Sequence, residues 1–193
     1  MKSWRKKRGP KISYCTYCRD NPDDPWHVPY HDTQYGFPLD SDDELFGRLI
    51  LEINQAGLSW LTILKKADSF RRAYAGFSID TVAAFDDADR ARLLADPGII
   101  RNRLKIDAAI DNARRLLAIR TSHGSFHRWL SAHHPLSKDE WTKLFKKTFR
   151  FTGGEIVNEF LMSTGWLPGA HDEDCPVAAK ITAMGALHPA SGV

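Results

Sequence analysis

The chain has 193 residues, of which 42% are hydrophobic and 26% are charged, and its formal net charge is +3. This length suits a single domain that buries a core without disulfide bonds, and the composition excludes an intrinsically disordered chain. The apolar runs are too short to span a membrane, and the basic start of the chain lacks the hydrophobic stretch of a secretory signal, so we expect a cytoplasmic protein with no membrane partner.

Helix start and stop signals follow one another along the chain, without the alternating pattern of β-strands, and predict an all-α fold. We expect a basic, disordered tail over 1–13, a single domain over 14–175 and a flexible tail over 176–193. Ser41 and Glu44 form a capping-box pattern before a helix that should end near Gln55. Further helices are predicted at about 59–75, 79–85, 87–95, 102–120, 125–132, 138–147 and 155–164.

The predicted helix that ends near Gln55 carries Glu52 inside an otherwise apolar sequence. On a helical wheel the apolar side chains form one continuous face, and Glu52 lies just outside its edge, beside Leu45 and Leu49. Two interpretations stay open. Glu52 is either a surface acid that pairs with a neighbour such as Arg48, which is the commoner case, or a carboxylate that lines a pocket at the edge of the core.

Cysteine and histidine residues near both ends of the domain have spacings typical of metal ligands. Cys18 and His31 are separated by twelve residues, and His171 and Cys175 by three. Together they form a Cys₂His₂ set, which is a common composition of a tetrahedral zinc site. Cys15 stands at a chelating spacing from Cys18 and is an alternative ligand, and buried free cysteines are a second alternative.

A glycine-containing turn, Thr152-Gly153-Gly154, follows the basic segment LFKKTFR and precedes an amphipathic helical pattern. This arrangement is typical of a helix-hairpin-helix, in which backbone N–H groups at a helix N-terminus approach a phosphate of DNA. Such contacts position DNA without reading its sequence. The other interpretation is a turn that merely connects two helices.

Basic residues are clustered along the chain, although the net charge is small. One cluster lies within the N-terminal segment 1–11, a second lies within 101–105 and a third lies within 143–150. Such patches suit a polyanionic partner on one face, or they are ordinary solvated helix surface. Charge alone favours the second interpretation.

Four aromatic residues, Trp26, Tyr30, Tyr35 and Trp60, flank the Glu52 helix in sequence. Aromatic side chains can stack on a nucleobase, and they do so more strongly when the base is cationic. Their usual role is to fill core space. The sequence alone does not choose between these roles.

Five segments carry the most specific patterns: YHDTQYGFP at 30–38, LEINQAGLSWLTILKK at 51–66, GIIRNRLKI at 98–106, FRFTGG at 149–154 and HDEDC at 171–175. In this order they resemble the type I 3-methyladenine DNA glycosylases. The resemblance implies an all-helical, helix-hairpin-helix DNA glycosylase with one structural zinc ion. It implies that the protein flips 3-methyladenine out of alkylated double-stranded DNA and hydrolyses the N-glycosidic bond. Free 3-methyladenine is then the product, and we expect a monomer.

The resemblance also assigns roles within the pocket. Glu52 matches the carboxylate that hydrogen-bonds the extruded base, and whether it also activates water stays open. Tyr30 and Trp60 match aromatic residues of the base pocket. Gly57 and Leu58 match a loop that approaches the gap left in the duplex by the flipped nucleotide.

Two further sets of residues receive roles in the same way. Thr152–Gly154 match the hairpin that contacts the DNA backbone. Cys18, His31, His171 and Cys175 match the zinc ligands of the family in type, order and spacing.

Some positions depart from the family pattern. His27 stands in place of a Tyr, Tyr35 in place of a Trp, Glu155 in place of a small hydroxyl residue and Asn158 in place of an aromatic residue. An acid at Glu155 would repel DNA through like charge. The alternative function is therefore a zinc-stapled DNA-binding or lesion-sensing protein of the same fold, with little or no excision.

Overall fold

The computed structural model describes residues 12–185, and this part of the chain contains α-helices and no β-strand. The helices are α1 Tyr14–Asp20, α2 His27–Thr33, α3 Asp42–Gln55, α4 Trp60–Leu64, α5 Ala67–Ala73, α6 Ile79–Ala83, α7 Asp87–Ala95, α8 Arg103–His123, α9 Phe126–His133, α10 Lys138–Thr148, α11 Gly154–Ser163 and α12 Pro176–Ala183. A short 3₁₀ turn, Ala75–Phe77, joins α5 to α6. The all-α prediction is confirmed. None of these helices combines the length and the apolar character that a bilayer crossing requires.

Helix α3 is the central element, and it packs against α4, α5, α6, α8, α9 and α11. Its start is the predicted one, because the Ser41 side chain accepts a hydrogen bond of 3.4 Å from the backbone N–H of Glu44. In a capping box the Glu44 side chain would also accept the backbone N–H of Ser41. Here the Glu44 carboxylate instead accepts two hydrogen bonds from the Arg71 guanidinium, at 2.8 and 2.9 Å. The cap therefore depends on one serine hydroxyl, and Glu44 ties α3 to α5.

The helix predicted over 59–75 is interrupted. Helix α4 ends at Leu64 and α5 begins at Ala67, with Lys65 and Lys66 between them. The ammonium group of Lys66 donates a 2.8 Å bond to the backbone carbonyl of Pro97, which draws the chain toward the loop before α8. This long-range contact lies at the point where the local helical pattern breaks.

Helices α10 and α11 pack against each other and are joined by a tight hairpin. Asn112 of α8 is fully buried and holds this hairpin through both backbone groups of Arg150. The Asn112 amide donates to the Arg150 carbonyl at 3.1 Å, and its oxygen accepts from the Arg150 N–H at 2.7 Å. The two helices thereby have a defined position relative to α8.

The two ends of the described chain meet in a small separate core of Cys15, Cys175, Val177, Ala178 and Ile181. Three helices lie here, α1, α2 and α12, and sequence patterns predicted none of them. The segment from 176 to 185 is therefore part of the folded domain, and the predicted flexible tail is wrong for these residues. Similarly, Ser13 was assigned to a tail but caps α1. The rest of both predicted tails, 1–11 and 186–193, lies outside the described residues.

Candidate base pocket and metal centre

A cavity of about 580 Å³ opens between α2, α3, α4 and α11. It contains all three residues predicted to bind a base, Tyr30, Glu52 and Trp60. The other lining residues are Tyr14, His27, Tyr35, Gln55, Glu155 and Glu159. The cavity thus combines aromatic rings with carboxyl groups, as a nucleobase pocket requires.

Its aromatic wall is built around Tyr30, which is 4% exposed. The Tyr30 ring centre lies 5.2 Å from that of Trp60 and 5.7 Å from that of Tyr35, with tilted planes. Tyr14 meets Tyr35 edge-on at 5.3 Å, and its hydroxyl lies 3.0 Å from Nδ1 of His27. Trp26, the fourth aromatic residue that flanks the Glu52 helix in sequence, is exposed and does not line this cavity.

Glu52 is a buried pocket residue and not a surface acid, being 4% exposed. The only hydrogen bond seen for its carboxyl among the described residues is a long one of 3.4 Å from the Ser163 hydroxyl of α11. Burial raises the pKa of Glu52 to about 8, the nearby Arg48 guanidinium opposes this rise, and the Glu159 carboxyl adds to it. Burial therefore favours the protonated carboxyl at neutral pH, whereas a cationic ligand beside it would favour the carboxylate, with the proton released to solvent.

The Arg48 side chain, a surface partner for Glu52 in one of the two sequence interpretations, is itself buried. It donates a 2.8 Å bond to the Tyr30 hydroxyl and a 3.3 Å bond to the Ser163 carbonyl, and its guanidinium lies 5.0 Å from the Tyr30 ring centre. Arg48 thus fixes the aromatic wall from behind and lies too far inside to meet a solvent-exposed anion.

The loop after α3 projects an apolar side chain outward. Gly57 adopts a φ of +84°, a conformation that favours glycine, and Leu58 is 39% exposed. Lys105 of α8 holds this loop, because its ammonium donates to the carbonyls of Asn54 at 2.9 Å and Ala56 at 2.7 Å. Lys105 is buried, so it is not part of a solvated basic patch as its position in the cluster 101–105 suggested.

The hairpin between α10 and α11 lies beside this loop. Its Thr152 is buried and donates to the Phe149 carbonyl at 3.3 Å, while Gly153 is exposed and precedes the first residue of α11, Gly154. Phe151 was not predicted as a site residue, yet it is 40% exposed, has a φ of +59°, and its ring centre lies 5.9 Å from the Lys105 ammonium. The exposed apolar side chains of Leu58 and Phe151 thus project from two segments that both lie beside Lys105.

Four buried side chains meet where the two ends of the domain join: Cys15, His31, His171 and Cys175. Their ligand atoms all lie within 4.8 Å of one another. The His31 Nε2 atom lies 3.2 Å from the Cys15 Sγ atom, 3.2 Å from His171 Nδ1 and 3.8 Å from the Cys175 Sγ atom. This buried Cys₂His₂ cluster could hold a metal ion.

The predicted ligand Cys18 is not part of this cluster, and Cys15 takes its place. Both cysteines lie on α1 at a chelating spacing, but only the Cys15 Sγ atom lies among the ligand atoms of His31, His171 and Cys175. The Cys15 Sγ atom also accepts the backbone N–H of Asp172 at 3.3 Å, which turns it toward the C-terminal half of the site. Cys15, which the sequence offered as an alternative ligand at a chelating spacing from Cys18, is therefore the cysteine of α1 that belongs to the cluster.

The second nitrogen of each histidine is already bonded away from the cluster. His171 Nε2 donates to the Tyr35 carbonyl at 2.7 Å, and His31 Nδ1 lies 2.7 Å from the Asp32 carboxylate. These bonds direct His31 Nε2 and His171 Nδ1 inward, which is the arrangement that metal-binding histidines adopt. The donor set therefore fits a metal ion, and the contact with Tyr35 links it to the wall of the cavity.

Sequence reasoning missed three residues of the cavity, Tyr14, Gln55 and Glu159. Tyr14 stood at the boundary of the segment taken as a tail, and the only available signal was an aromatic residue next to Cys15. Glu159 follows Glu155 by four residues, so both lie on one face of α11. That spacing could have indicated a second acidic contribution to the pocket, had the packing of α11 on α3 been known.

Comparisons with known proteins agree with this site. The family model described as methyladenine glycosylase matches residues 20–140. DNA-3-methyladenine glycosylase 1 of Escherichia coli is 36% identical over 161 residues, which cover 74% of this chain and 86% of the relative. DNA-3-methyladenine glycosylase of Haemophilus influenzae is 32% identical over 169 residues, covering 78% of this chain and 91% of the relative.

Solved structures give the same result at the level of the fold. A structure described as the basis of 3-methyladenine recognition by 3-methyladenine DNA glycosylase I from Staphylococcus aureus superimposes with a TM-score of 0.74 at 32% identity, covering 86% of this chain and 97% of that one. A complex of a variant of 3-methyladenine DNA glycosylase I with 3-methyladenine has a TM-score of 0.73 at 32% identity, covering 83% of this chain and 96% of the other. This chain belongs to the methyladenine glycosylase family.

Proposed function

We propose that this protein is a monofunctional DNA glycosylase that flips 3-methyladenine out of alkylated DNA and hydrolyses its N-glycosidic bond, the first step of base excision repair. The observation that carries the proposal is the buried carboxyl of Glu52, placed in a cavity with aromatic walls formed by Tyr30 and Trp60. The Escherichia coli and Haemophilus influenzae relatives act on the same base by name.

The chemistry asks little of the protein beyond recognition. As a nucleoside, 3-methyladenine carries a positive charge, and it leaves as a neutral base, so the leaving group needs no proton from an acid. The base must first leave the stack, at a cost of a few kcal/mol that a damaged pair lowers. A cavity that stabilises the extruded cationic base raises the population of the flipped-out nucleotide. It thereby contributes to cleavage, because only the flipped-out nucleotide reacts in the cavity.

Glu52 recognises the base in this mechanism. The positive charge of the bound nucleoside favours the ionised carboxylate, which then accepts hydrogen bonds from the amino edge of the adenine ring. A base that presents acceptors at that edge would meet the carboxylate with like partial charge and bind poorly. Recognition in this form does not require Glu52 to activate water, and the geometry supports recognition as its principal role.

Double-stranded alkylated DNA is the proposed partner, bound on the face that carries Leu58 and the hairpin Thr152–Gly154. Leu58 is proposed to fill the gap that the flipped nucleotide leaves in the duplex, supported by the left-handed turn at Gly57 that lifts it away from α3. Lys146 and Lys147 lie in the last turn of α10, next to the hairpin, and are exposed. Replacing both by Ala should weaken binding to all duplex sequences alike. The slope of log affinity against log salt concentration should become less steep, by the equivalent of about two phosphate contacts.

Glu155, whose charge was expected to repel DNA, is partly compensated. Its carboxylate lies 3.7 Å from the Lys138 ammonium, at the start of α11. This pairing weakens the argument for a protein that binds lesions without excising them. The protein is proposed to act as a monomer, and sedimentation of the protein with and without duplex DNA tests this.

The metal cluster is proposed to hold one structural Zn²⁺ per chain. Zinc–sulfur and zinc–nitrogen bonds of about 2.3 and 2.0–2.1 Å give tetrahedral edges of roughly 3.3–3.8 Å, close to the 3.2–3.8 Å of the five separations that involve a histidine nitrogen. The ion would join α1, α2 and the segment before α12, and would thereby hold Tyr30 and Tyr35 in position. Its contribution is to folding and to the shape of the cavity.

Metal analysis of single variants tests this assignment. The wild-type chain and Cys18→Ala should each carry about one zinc ion, whereas Cys15→Ala should lose it and unfold at a lower temperature. Cys18→Ala is a matched control, because it removes a buried cysteine of the same helix outside the cluster. Zinc retained in Cys15→Ala and lost in Cys18→Ala would overturn the assignment.

We propose a cytoplasmic location, because cysteines that serve as metal ligands rather than in disulfides are typical of reducing compartments. Fractionation of cells that produce the protein tests that location, and recovery from an oxidising compartment would contradict it.

Base release from methylated DNA tests the enzymatic proposal. The wild-type protein should release free 3-methyladenine, identified by chromatography, and Glu52→Gln should slow release by about 10- to 100-fold, as expected for the loss of a charged hydrogen-bond acceptor. Binding of methylated duplex without any release of base would reject the enzyme and favour the lesion-sensing alternative.

A further inference from the structure

The cavity contains a second carboxyl group that the proposed mechanism does not use. Glu159 of α11 lines the same cavity as Glu52 of α3 and is half-buried. The Tyr35 hydroxyl donates a long bond of 3.4 Å to Glu159 Oε2, which turns the carboxyl toward the aromatic wall. Glu159 is thus fixed at the side of the cavity, while Glu52 lies at its base.

The charges around this cavity are unbalanced. Its lining contains three acids, Glu52, Glu155 and Glu159, and neither Lys nor Arg among the residues that line it. Glu155 lies 3.7 Å from Lys138 and its side chain is 89% exposed. Arg48 lies behind Tyr30, where it donates to that hydroxyl. Glu159 forms no salt bridge among the residues described, and the cation that acts on its carboxyl, Lys138, lies outside the cavity lining and pairs with Glu155.

Burial raises the pKa of Glu159, and the Glu155 carboxyl adds to this rise. The Glu159 carboxyl in turn raises the pKa of Glu52. Two carboxyl groups in one cavity disfavour each other's ionisation. A positively charged ligand placed between the walls lowers the free-energy cost of ionising both of them. A neutral ligand of the same shape gives no such relief.

We propose that Glu159 is a specificity-determining residue that selects bases carrying a positive charge over neutral bases of the same shape. The inference rests on the proposed function and adds a residue and a physical basis for its selectivity. Stacking on Tyr30 and Trp60 acts on any purine, and Glu52 reads the pattern of hydrogen-bonding groups. Glu159 reads charge, which separates an alkylated cationic nucleoside from the large excess of normal adenine.

Binding of two small ligands to the metal-loaded protein tests the inference directly. The 3,9-dimethyladeninium ion keeps the charge of the damaged nucleoside and has a methyl group in place of the sugar, and 9-methyladenine is its neutral counterpart. Glu159→Gln should weaken binding of the cation by about tenfold or more and change binding of the neutral base by less than about threefold, since only the cation interacts with the lost charge in a partly dehydrated site.

Two further variants separate the charge of Glu159 from its hydrogen bond and from its position in the cavity. Tyr35→Phe removes the hydroxyl that bonds Glu159 but keeps the charge, so it should retain the preference for the cation. Glu155→Gln removes the same charge at the exposed mouth and should reduce the preference much less than Glu159→Gln, because solvent screens that position. Equal losses in Glu155→Gln and Glu159→Gln, or loss of the preference in Tyr35→Phe, would overturn the inference.

The outcomes also separate this inference from the proposed function. A wild-type protein that binds neither ligand contradicts the base pocket itself, and the inference fails with it. A wild-type protein that prefers the cation, together with a Glu159→Gln variant of unchanged preference, contradicts the role of Glu159 alone. The preference measured in wild type and lost in Glu159→Gln supports it.

Discussion

Replacing the Glu52 carboxyl by the isosteric amide should change how the stability of the protein depends on pH. The pKa of Glu52 is about 8 in the folded protein, against an ordinary value of 4.5, chiefly because burial penalises the charged form. Between these values the folded state holds a proton that the unfolded state has released. The favourable contribution of the protonated carboxyl is therefore complete below about pH 4.5 and is lost as the pH rises through about 8.

The magnitude follows from the size of the shift. A rise of about 3.5 pH units corresponds to roughly 5 kcal/mol of differential free energy, at about 1.4 kcal/mol per unit. Glutamine has no proton to lose, so Glu52→Gln should escape this loss. We expect the free energy of unfolding of the variant to match that of the wild type within about 1 kcal/mol near pH 5, and to exceed it by several kcal/mol near pH 9.

Urea unfolding of both proteins at a series of pH values measures this difference. Both retain the metal cluster and the other titratable groups, so the contributions of groups that do not interact with Glu52 cancel in the comparison, and the coupling of Glu52 to Arg48 and Glu159 remains in the difference. Glu140→Gln is a suitable control, because hydrogen bonds from Ser137 lower the pKa of Glu140 below its ordinary value of 4.5. The Glu140 carboxyl is therefore ionised in both the folded and the unfolded state at neutral and alkaline pH, and its contribution to stability no longer changes with pH there. Its curve should run parallel to that of the wild type from about pH 6 to about pH 9. Parallel curves for the wild type and Glu52→Gln would refute the burial of a protonated carboxyl at this position.

Three further predictions concern the loop, the hairpin and the core. Leu58→Ala should lower base release from duplex DNA by about tenfold, because less apolar surface fills the gap in the stack, and should leave affinity for free 3-methyladenine within about twofold; an equal loss in both assays would contradict the role. Asn112→Leu should destabilise the protein by about 2–4 kcal/mol in urea unfolding, because both backbone groups of Arg150 lose their partner; a change below about 1 kcal/mol would show that water replaces the amide. Gly47→Ala should destabilise by about 1–3 kcal/mol, despite the higher helix propensity of Ala, because its Cβ would lie 2.4 Å from the Phe77 ring; an unchanged melting temperature would show that the ring moves freely.

Local sequence signals predicted the helices that carry their own caps. Serine side chains at Ser41, Ser78 and Ser137 each accept a backbone N–H three residues on, and these helices begin where expected. Such caps depend on neighbouring residues only, so they can be read from the sequence. By contrast, α1 and α12 are short helices whose apolar residues bury against one another across the two ends of the chain, and α2 contributes His31 to the Cys and His cluster beside them. Their stability comes from long-range contacts, which local patterns do not contain.

The candidate site shows the same division. The sequence by itself determined which residue types are present and in what order. These include an acid at the edge of an apolar helix face, a turn at Gly57, and enough Cys and His residues to form a metal site. Only the tertiary structure decided that Glu52 is buried, because α11 packs on α3 and places Ser163 and Glu159 around it. It also decided between Cys15 and Cys18. Two cysteines one helical turn apart are equivalent in spacing, and the docking of α1 against His171 selects one of them.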